Sequence, residues 1–260
     1  NGTSHENLLS LIQNKFMDLT VFITGATSGI GKATAEFLAK HNYRLILCGR
    51  NQDRLKELKQ TLGKQTAITT LQFDVRDKEA VFSAIESLPE NFRDIDVLIN
   101  NAGNAHGMSS IQDGDINDWD AMLDINVKGL LYVSRAILPK MIEKNTGFIV
   151  NIGSTAGKEV YPKGNVYCAS KSALTSFTES LQFEMKRINV RVSLISPGFI
   201  KTPMTDQNDF PMPMIKSPEF AAEQIYIGLI KKKGFEIHFP KTFTYFLKFL
   251  RILPHAIYFK

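Results

Sequence analysis

Ser154, Tyr167 and Lys171 are residue types that can do acid/base chemistry on a carbonyl or an alcohol, and their spacing makes them a set. Tyr167 and Lys171 stand four apart in a stretch of helical character, so their side chains share one face. A phenol with a pKa of about 10 is a poor proton donor or base at neutral pH until its ionised form is stabilised. A lysine ammonium one turn away supplies that stabilisation. Ser154 ends an apolar, strand-like run and can hydrogen-bond a substrate oxygen. Asn126 lies in the preceding helical stretch and is a candidate to hold a water that relays protons to Lys171. A tyrosine and lysine four apart are often just one face of a helix; the upstream serine at a strand end makes the pattern specific. A nucleophilic triad on Ser154 is the competing reading. It fails on local context, because Asn151-Ile152-Gly153-Ser154-Thr155-Ala156 lacks the G-x-S-x-G elbow. His5, His41, His106, His238 and His255 have no ligand-like spacing, so no metal is expected. His106 reads as a surface histidine.

A second set lies far upstream. Thr24-Gly25-Ala26-Thr27-Ser28-Gly29-Ile30-Gly31 follows one strand-like run and opens a helix-like one. A turn this tight needs residues without Cβ, and so does close backbone approach to a pyrophosphate. The helix N-terminus adds partial positive charge. Candidate cofactor contacts here are Gly25, Thr27, Ser28, Gly29, Ile30 and Gly31. At the end of the second strand stand Cys48-Gly49-Arg50-Asn51, where NAD-preferring sites usually carry a carboxylate against the ribose hydroxyls. Arg50 can pair with a 2′-phosphate through a charge-assisted fork, with Asn51 beside it. NADP(H) is therefore the expected cofactor and NAD(H) the second option. The bland alternative is a solvated Arg50 and no preference. Asp74, followed by Val75, ends the third strand and is a candidate to accept from the adenine amino group; the alternative is a helix cap, for which Asp77 competes. Asn100-Asn101-Ala102-Gly103 closes the fourth strand, where small residues let the chain pass close to the nucleotide and the amides brace the sheet.

The elements that must position these groups alternate. Strands are expected at Thr20–Thr24, Arg44–Cys48, Thr69–Asp74, Asp96–Asn100, Phe148–Ile152 and Val190–Ile195, with Phe235–Phe239 a candidate seventh. The sixth stops at Pro197-Gly198. Helices are expected at Gly31–Lys40, Asp53–Leu62 and Val166–Arg187, and over most of 116–144, where Pro139 should bend or interrupt the stretch. Repeated strand–helix alternation predicts an α/β fold, a doubly wound parallel sheet covered on both faces. Such sheets bind ligands beyond the carboxyl ends of their strands, and most of the motifs fall there.

The 260 residues, 43% of them hydrophobic, suit a single domain with a full core and argue against sustained disorder. Residues 1–16 read as a detached extension before Met17, residues 17–240 as the domain, and 241–260 as a basic amphipathic tail. Within the domain, residues 199–218 hold four prolines and three methionines and read as a mobile cover over substrate. Cys48 and Cys168 form neither a framework nor a C-x-x-C pair, which suits free thiols in a reducing, cytoplasmic setting. The net charge of +5 is ordinary surface lysine or a local patch for an anionic cofactor or membrane surface; no nucleic-acid module is recognisable. Lys231, Lys232 and Lys233 precede Lys241, Lys248 and Arg251. Phe243, Phe246, Leu247, Leu250, Leu253 and Ile257 recur near helical spacing among the last of these, so the tail is a candidate interfacial helix, or a segment that packs on the core or on a partner subunit.

Taken in order, Thr24-Gly25-x-x-x-Gly29-Ile30-Gly31, Asp74, Asn100-Asn101-Ala102-Gly103, Asn126, Ser154, Tyr167-x-x-x-Lys171, Pro197-Gly198 and Thr202 resemble the short-chain dehydrogenase/reductase family over residues 18–205. The resemblance implies a single-domain Rossmann-type fold with a seven-stranded sheet. It implies that Asn126, Ser154, Tyr167 and Lys171 form a catalytic tetrad, with Tyr167 the acid in carbonyl reduction and the base in alcohol oxidation. It adds Lys171 at the nicotinamide ribose, Thr202 at the carboxamide, and Pro197 and Gly198 beside them. It also implies a homodimer or homotetramer built on the two long helices. The run from Asn151 to Gly157, followed by Gly164-Asn165-Val166-Tyr167, is similar to a subgroup of NADP-dependent 3-hydroxy acid dehydrogenases. The likeness fades after Thr202, so it carries no substrate. The expected function is an NADP(H)-dependent oxidoreductase acting on a small carbonyl or alcohol. A nucleotide-binding sensor or scaffold without turnover is the alternative, and an epimerase or dehydratase a lesser one.

Overall fold

The computed structural model describes residues 19–231 and 234–250. The expected extension 1–16, Met17, Lys232, Lys233, Arg251, Leu253 and Ile257 lie outside them. Seven strands, β1 (Thr20–Ile23), β2 (Arg44–Gly49), β3 (Ile68–Gln72), β4 (Val97–Asn100), β5 (Gly147–Ile152), β6 (Val190–Pro197) and β7 (Glu236–Phe239), form one parallel sheet in the order β3-β2-β1-β4-β5-β6-β7. Strand order reverses at β1, which pairs with β2 on one side and β4 on the other; Ile23 stands opposite Leu47 and Ile99. The crevice beyond the ends of β1 and β4 is where such a sheet leaves room for a ligand.

The central strands β1, β2 and β4 are apolar on both faces, because helices cover both. Val21, Ile23, Leu45, Leu47, Val97 and Ile99 point to one core with α1 (Gly29–Ala39), α2 (Gln52–Leu62) and α7 (Pro218–Lys231). Phe22, Ile46, Leu98 and Ile149 point to the other, with α3 (Lys78–Glu86), α5 (Leu130–Glu143) and α6 (Asn165–Met185). Alternation along a strand sends neighbours to opposite faces, so a doubly covered sheet needs continuous apolar runs. Buried amides tie the sheet to the helices: Asn100 Nδ2 donates to Ser134 Oγ and to Asn151 Oδ1, and Asn151 Nδ2 donates to Thr178 Oγ1.

Three expectations are corrected. The stretch 116–144 is not interrupted at Pro139, which lies inside α5. Pro139 and Arg135, whose carbonyl loses its partner, are both exposed, so water can satisfy that carbonyl. The irregularity falls earlier, in a π-helical turn at Asp124–Gly129 between α4 (Ile116–Leu123) and α5. The sixth strand runs on to include Pro197, and Gly198 N donates to Phe239 O. Helix α7 was not anticipated, although Ser217 Oγ accepts from Phe220 N and Pro218 opens the first turn, the usual grammar of a helix start. Asp77 is the cap of α3, accepting from Ala80 N, which settles its competition with Asp74.

Candidate active site

A cleft of about 370 Å³ opens at the carboxyl ends of the strands, where the chemistry-bearing motifs meet. Its first wall is the turn between β1 and α1. Gly25 and Gly29 have φ of 64° and 51°, a region that side chains rarely tolerate. A Cβ on Gly31 would overlap the Gly25 carbonyl oxygen, so this glycine allows close packing and does not itself line the cleft. The turn is locked to the end of β4. Asn101 Nδ2 donates to Thr24 O (2.9 Å) and Gly25 O (3.1 Å), while Thr24 Oγ1 accepts from Asn101 N and Ala102 N. Ser28 heads α1 without using its side chain as a cap, and no acidic residue stands in the first turn. The first amides of α1 and its dipole are thus directed at the cleft, as an anionic group requires.

Charge marks the second wall. Arg50, two-thirds exposed, lies with Nη1 3.8 Å from Asp74 Oδ2. Asp74 is held far more closely by Arg76, a residue the sequence reading passed over. Arg76 Nη2 donates to Asp74 Oδ2 at 2.7 Å, Nε donates to both carboxylate oxygens, and the Arg76 backbone N donates to Oδ1. Partial burial pushes the Asp74 carboxyl up, but the hydrogen bonds from Arg76 and the charges of Arg76 and Arg50 outweigh it and hold the pKa below its ordinary value. The carboxylate expected to receive an adenine amino group is thus already engaged. Asn51 does not line the cleft: its Oδ1 accepts from Arg54 N as the cap of α2. Thr27, Ser28, Ile30, Val75, Ala102, Gly103, Pro197, Gly198 and Thr202 all line it, as expected, and so does His106, exposed at its rim.

The acid/base residues form the inner end. Ser154, Tyr167 and Lys171 line the cleft together. Burial pushes the Tyr167 phenol up, a hydrogen bond with Ser154 offsets part of that, and Cys168 adds to it. Lys171 is buried; its Nζ donates to Ile152 O at 3.1 Å and lies 6.0 Å from the centroid of the Tyr167 ring. Burial brings its pKa down to about 8. Desolvation is the largest influence on both groups and favours their neutral forms. Asn126 sits in the π turn behind the cleft. Its Nδ2 donates to Asn104 O and Ser170 Oγ, and its Oδ1 accepts from Asn104 N. Ser170 Oγ in turn donates to Tyr167 O. The Asn126 carboxamide thus clasps Asn104 and reaches the backbone of Tyr167 through one hydroxyl.

Residues 199–218 supply the last wall through Ile200, Thr202, Pro203, Met204 and Thr205. Met212 and Met214 point elsewhere. The base of this loop is pinned, since Lys201 N donates to Lys216 O and Lys216 N to Phe199 O, and Phe199 meets Phe210 edge-on.

Comparison with known proteins agrees with this geometry. The family model described as short chain dehydrogenase matches residues 19–211. NADP-dependent 3-hydroxy acid dehydrogenase YdfG of Salmonella typhi is 43% identical over 182 residues, 70% of this chain and 73% of that protein. Sulfoacetaldehyde reductase 2 of Chromohalobacter salexigens is 45% identical over 186 residues, 71% of this chain and 74% of that one. Among solved structures, the closed form of serine dehydrogenase complexed with NADP+ superposes with a TM-score of 0.76 at 34% identity, covering 85% of this chain and 94% of that one. A glycine cradle at the strand-order switch, a serine–tyrosine–lysine set in the same cleft, and a family match over most of the sheet lead to one conclusion: the chain belongs to the short-chain dehydrogenase family.

Proposed function

We propose that the protein interconverts a small carbonyl compound and the corresponding alcohol with NADP(H), using Tyr167 as proton donor and acceptor. The observation that carries this is the convergence of Ser154, Tyr167 and the buried Lys171 in the same cleft as the β1–α1 glycine turn. The residues fit the cofactor: the Gly25–Gly31 turn admits a pyrophosphate without side-chain obstruction, and Arg50 offers a fork to a 2′-phosphate. Bound NADPH supplies the hydride for reduction, and NADP+ accepts it in oxidation. Ser154 donates a hydrogen bond to the substrate oxygen and holds it against the phenol. Tyr167 gives its proton to that oxygen in reduction and takes one back in oxidation. Lys171, when charged, stabilises the phenolate left behind and reaches the nicotinamide ribose. Asn126 positions Tyr167 through Ser170 and fixes Asn104 at the cleft wall. Thr202, Pro197 and Gly198 are assigned to the nicotinamide end, Asp74 and Val75 to the adenine end. The relatives named above act on hydroxy acids or a small aldehyde, so hydroxy acids are the substrates to test first.

Three further features complete the proposal. Both cysteines are free, which suits a cytoplasmic setting, and Phe183 on α6 is 78% exposed, which suits a homodimer or homotetramer joined across α5 and α6. Peripheral membrane contact is assigned to α8 (Lys241–Leu250). Its Thr244 is buried, while Tyr245, which meets His238 edge-on, and Phe246 and Phe249 are all more than half exposed. None of the described helices is long and apolar enough to cross a membrane.

Tyr167→Phe should lower kcat by about 10²–10⁴-fold and leave the Kd for NADPH unchanged, measured by cofactor fluorescence and initial rates. Turnover that survives the substitution removes the acid/base assignment. Arg50→Ala should raise the KM for NADPH more than about tenfold and leave NADH nearly untouched; equal effects on both cofactors reject the 2′-phosphate contact. The pH profile follows from burial. Lys171 is depressed, so its charge is lost as pH rises through about 8, well below the ordinary 10.5. Carbonyl reduction should be level at neutral pH and fall above 8. A rate that holds up to the ordinary lysine range would mean the charge does not matter. For the tail, Tyr245→Ser, Phe246→Ser and Phe249→Ser together should abolish sedimentation with anionic liposomes while preserving turnover, whereas a wild-type protein that ignores such liposomes ends that reading.

A further inference from the structure

Arg76 belongs to no element of the proposed chemistry, yet it is among the most tightly bonded charges on the cleft wall. It sits two residues beyond Asp74, just past the end of β3, and covers the carboxylate with both Nε and Nη2. Arg50 approaches the same Oδ2 from β2, but only to 3.8 Å, and its guanidinium stays largely in solvent. All three residues line the cleft. Two guanidinium groups thus compete for one carboxylate, and Arg76 holds the shorter contacts.

The charges explain why that matters. A carboxylate beside a phosphate site acts against it twice: it repels the anion, and it captures the arginine meant for it. Asp74 is placed to do both. Arg76 occupies its two oxygens, so the carboxylate is neutralised locally and Arg50 remains outside a close hydrogen-bonded pair. The three groups sum to one positive charge, presented by the arginine that is free to turn. Asp124, the other carboxylate whose charge Arg76 senses, is itself paired with Lys128 at 2.7 Å.

We propose that Arg76 is a specificity-determining residue for the phosphorylated cofactor: by holding Asp74 it leaves Arg50 available to the 2′-phosphate of NADP(H). The inference rests on the NADP(H) reading above and adds a partner to it. Arg76 acts through its neighbour, so it is a positioning residue and its signature is the ratio of the two cofactors.

The test is a cycle of variants in the full chain, with Kd for NADPH and NADH measured by calorimetry. Arg76→Gln should raise the Kd for NADPH about fivefold or more and change that for NADH by less than about twofold. Adding Asp74→Asn to Arg76→Gln should restore NADPH binding to within about twofold of Asp74→Asn alone, because the carboxylate that Arg76 restrains is gone. Far-ultraviolet dichroism and a urea midpoint for each variant separate this from misfolding. Equal loss of both cofactors in Arg76→Gln, or no rescue in the double variant, overturns the proposal. Arg50→Ala run in parallel separates the two levels. If it weakens NADPH selectively and Arg76→Gln does not, the Arg76 inference alone fails; if it shows no selectivity, the 2′-phosphate reading beneath it fails.

Discussion

The hydrogen bonds that join the end of β4 to the end of β1 are what the rest of the site depends on. Asn101 spans the two strand ends with its side chain, and Thr24 answers with its hydroxyl, so the glycine turn cannot move without β4. A parallel sheet leaves its strand ends unpaired, and at the point where strand order reverses the two connections leave in opposite directions. Without a cross-tie, that gap would be a loose crevice. With it, α1 starts at a fixed place, its amides aim at a fixed volume, and the inner residues of β5 and α6 face a wall that stays put.

Burial sets the second constraint. Tyr167 and Lys171 are close partners deep in the cleft, and each is pushed toward neutrality by the surroundings that make it useful. A charge that develops there in a transition state is poorly screened, so a nearby ammonium is worth far more than it would be in water. Desolvation brings Lys171 down to about 8, so its charge is lost well below the ordinary lysine range. The outer end of the cleft follows the opposite logic. Arg50, Arg76 and Asp74 are partly solvated, so geometry and hydrogen bonding, more than burial, decide which charge remains available.

Much of the framework was legible along the chain. Strands β1, β2 and β4 announced themselves as short apolar runs, because a sheet covered on both faces has no polar side to interrupt them. The Tyr167–Lys171 face, the serine upstream and the glycine turn were legible because each is a local pattern with fixed spacing. Other features were not. Pro139 reads as a break and is not one, because it and Arg135 lie on the exposed side of α5, which sequence does not show. The π turn at Asp124–Gly129 has no local signature of its own, yet it places Asn126 against Asn104 and Ser170. Asn51 caps α2, and the residue type alone did not separate that role from a cofactor contact, since an asparagine before a helix can serve either.

The chain by itself determined which residue types exist, their periodicity, and therefore the alternation of strands and helices and the pairing of Tyr167 with Lys171 on one helix. Those are short-range properties, written into neighbours a few positions apart. The tertiary structure alone decided that Ser154, Gly25 and Arg50 share one cleft. It also decided that Arg76 claims Asp74, and that burial lowers Lys171 while raising Tyr167. The shared cleft depends on segments tens of residues apart brought together by β1, β2 and β5 and on how much water remains between them, while the Arg76–Asp74 pair, two positions apart, depends on the turn beyond β3 that folds the guanidinium onto the carboxylate.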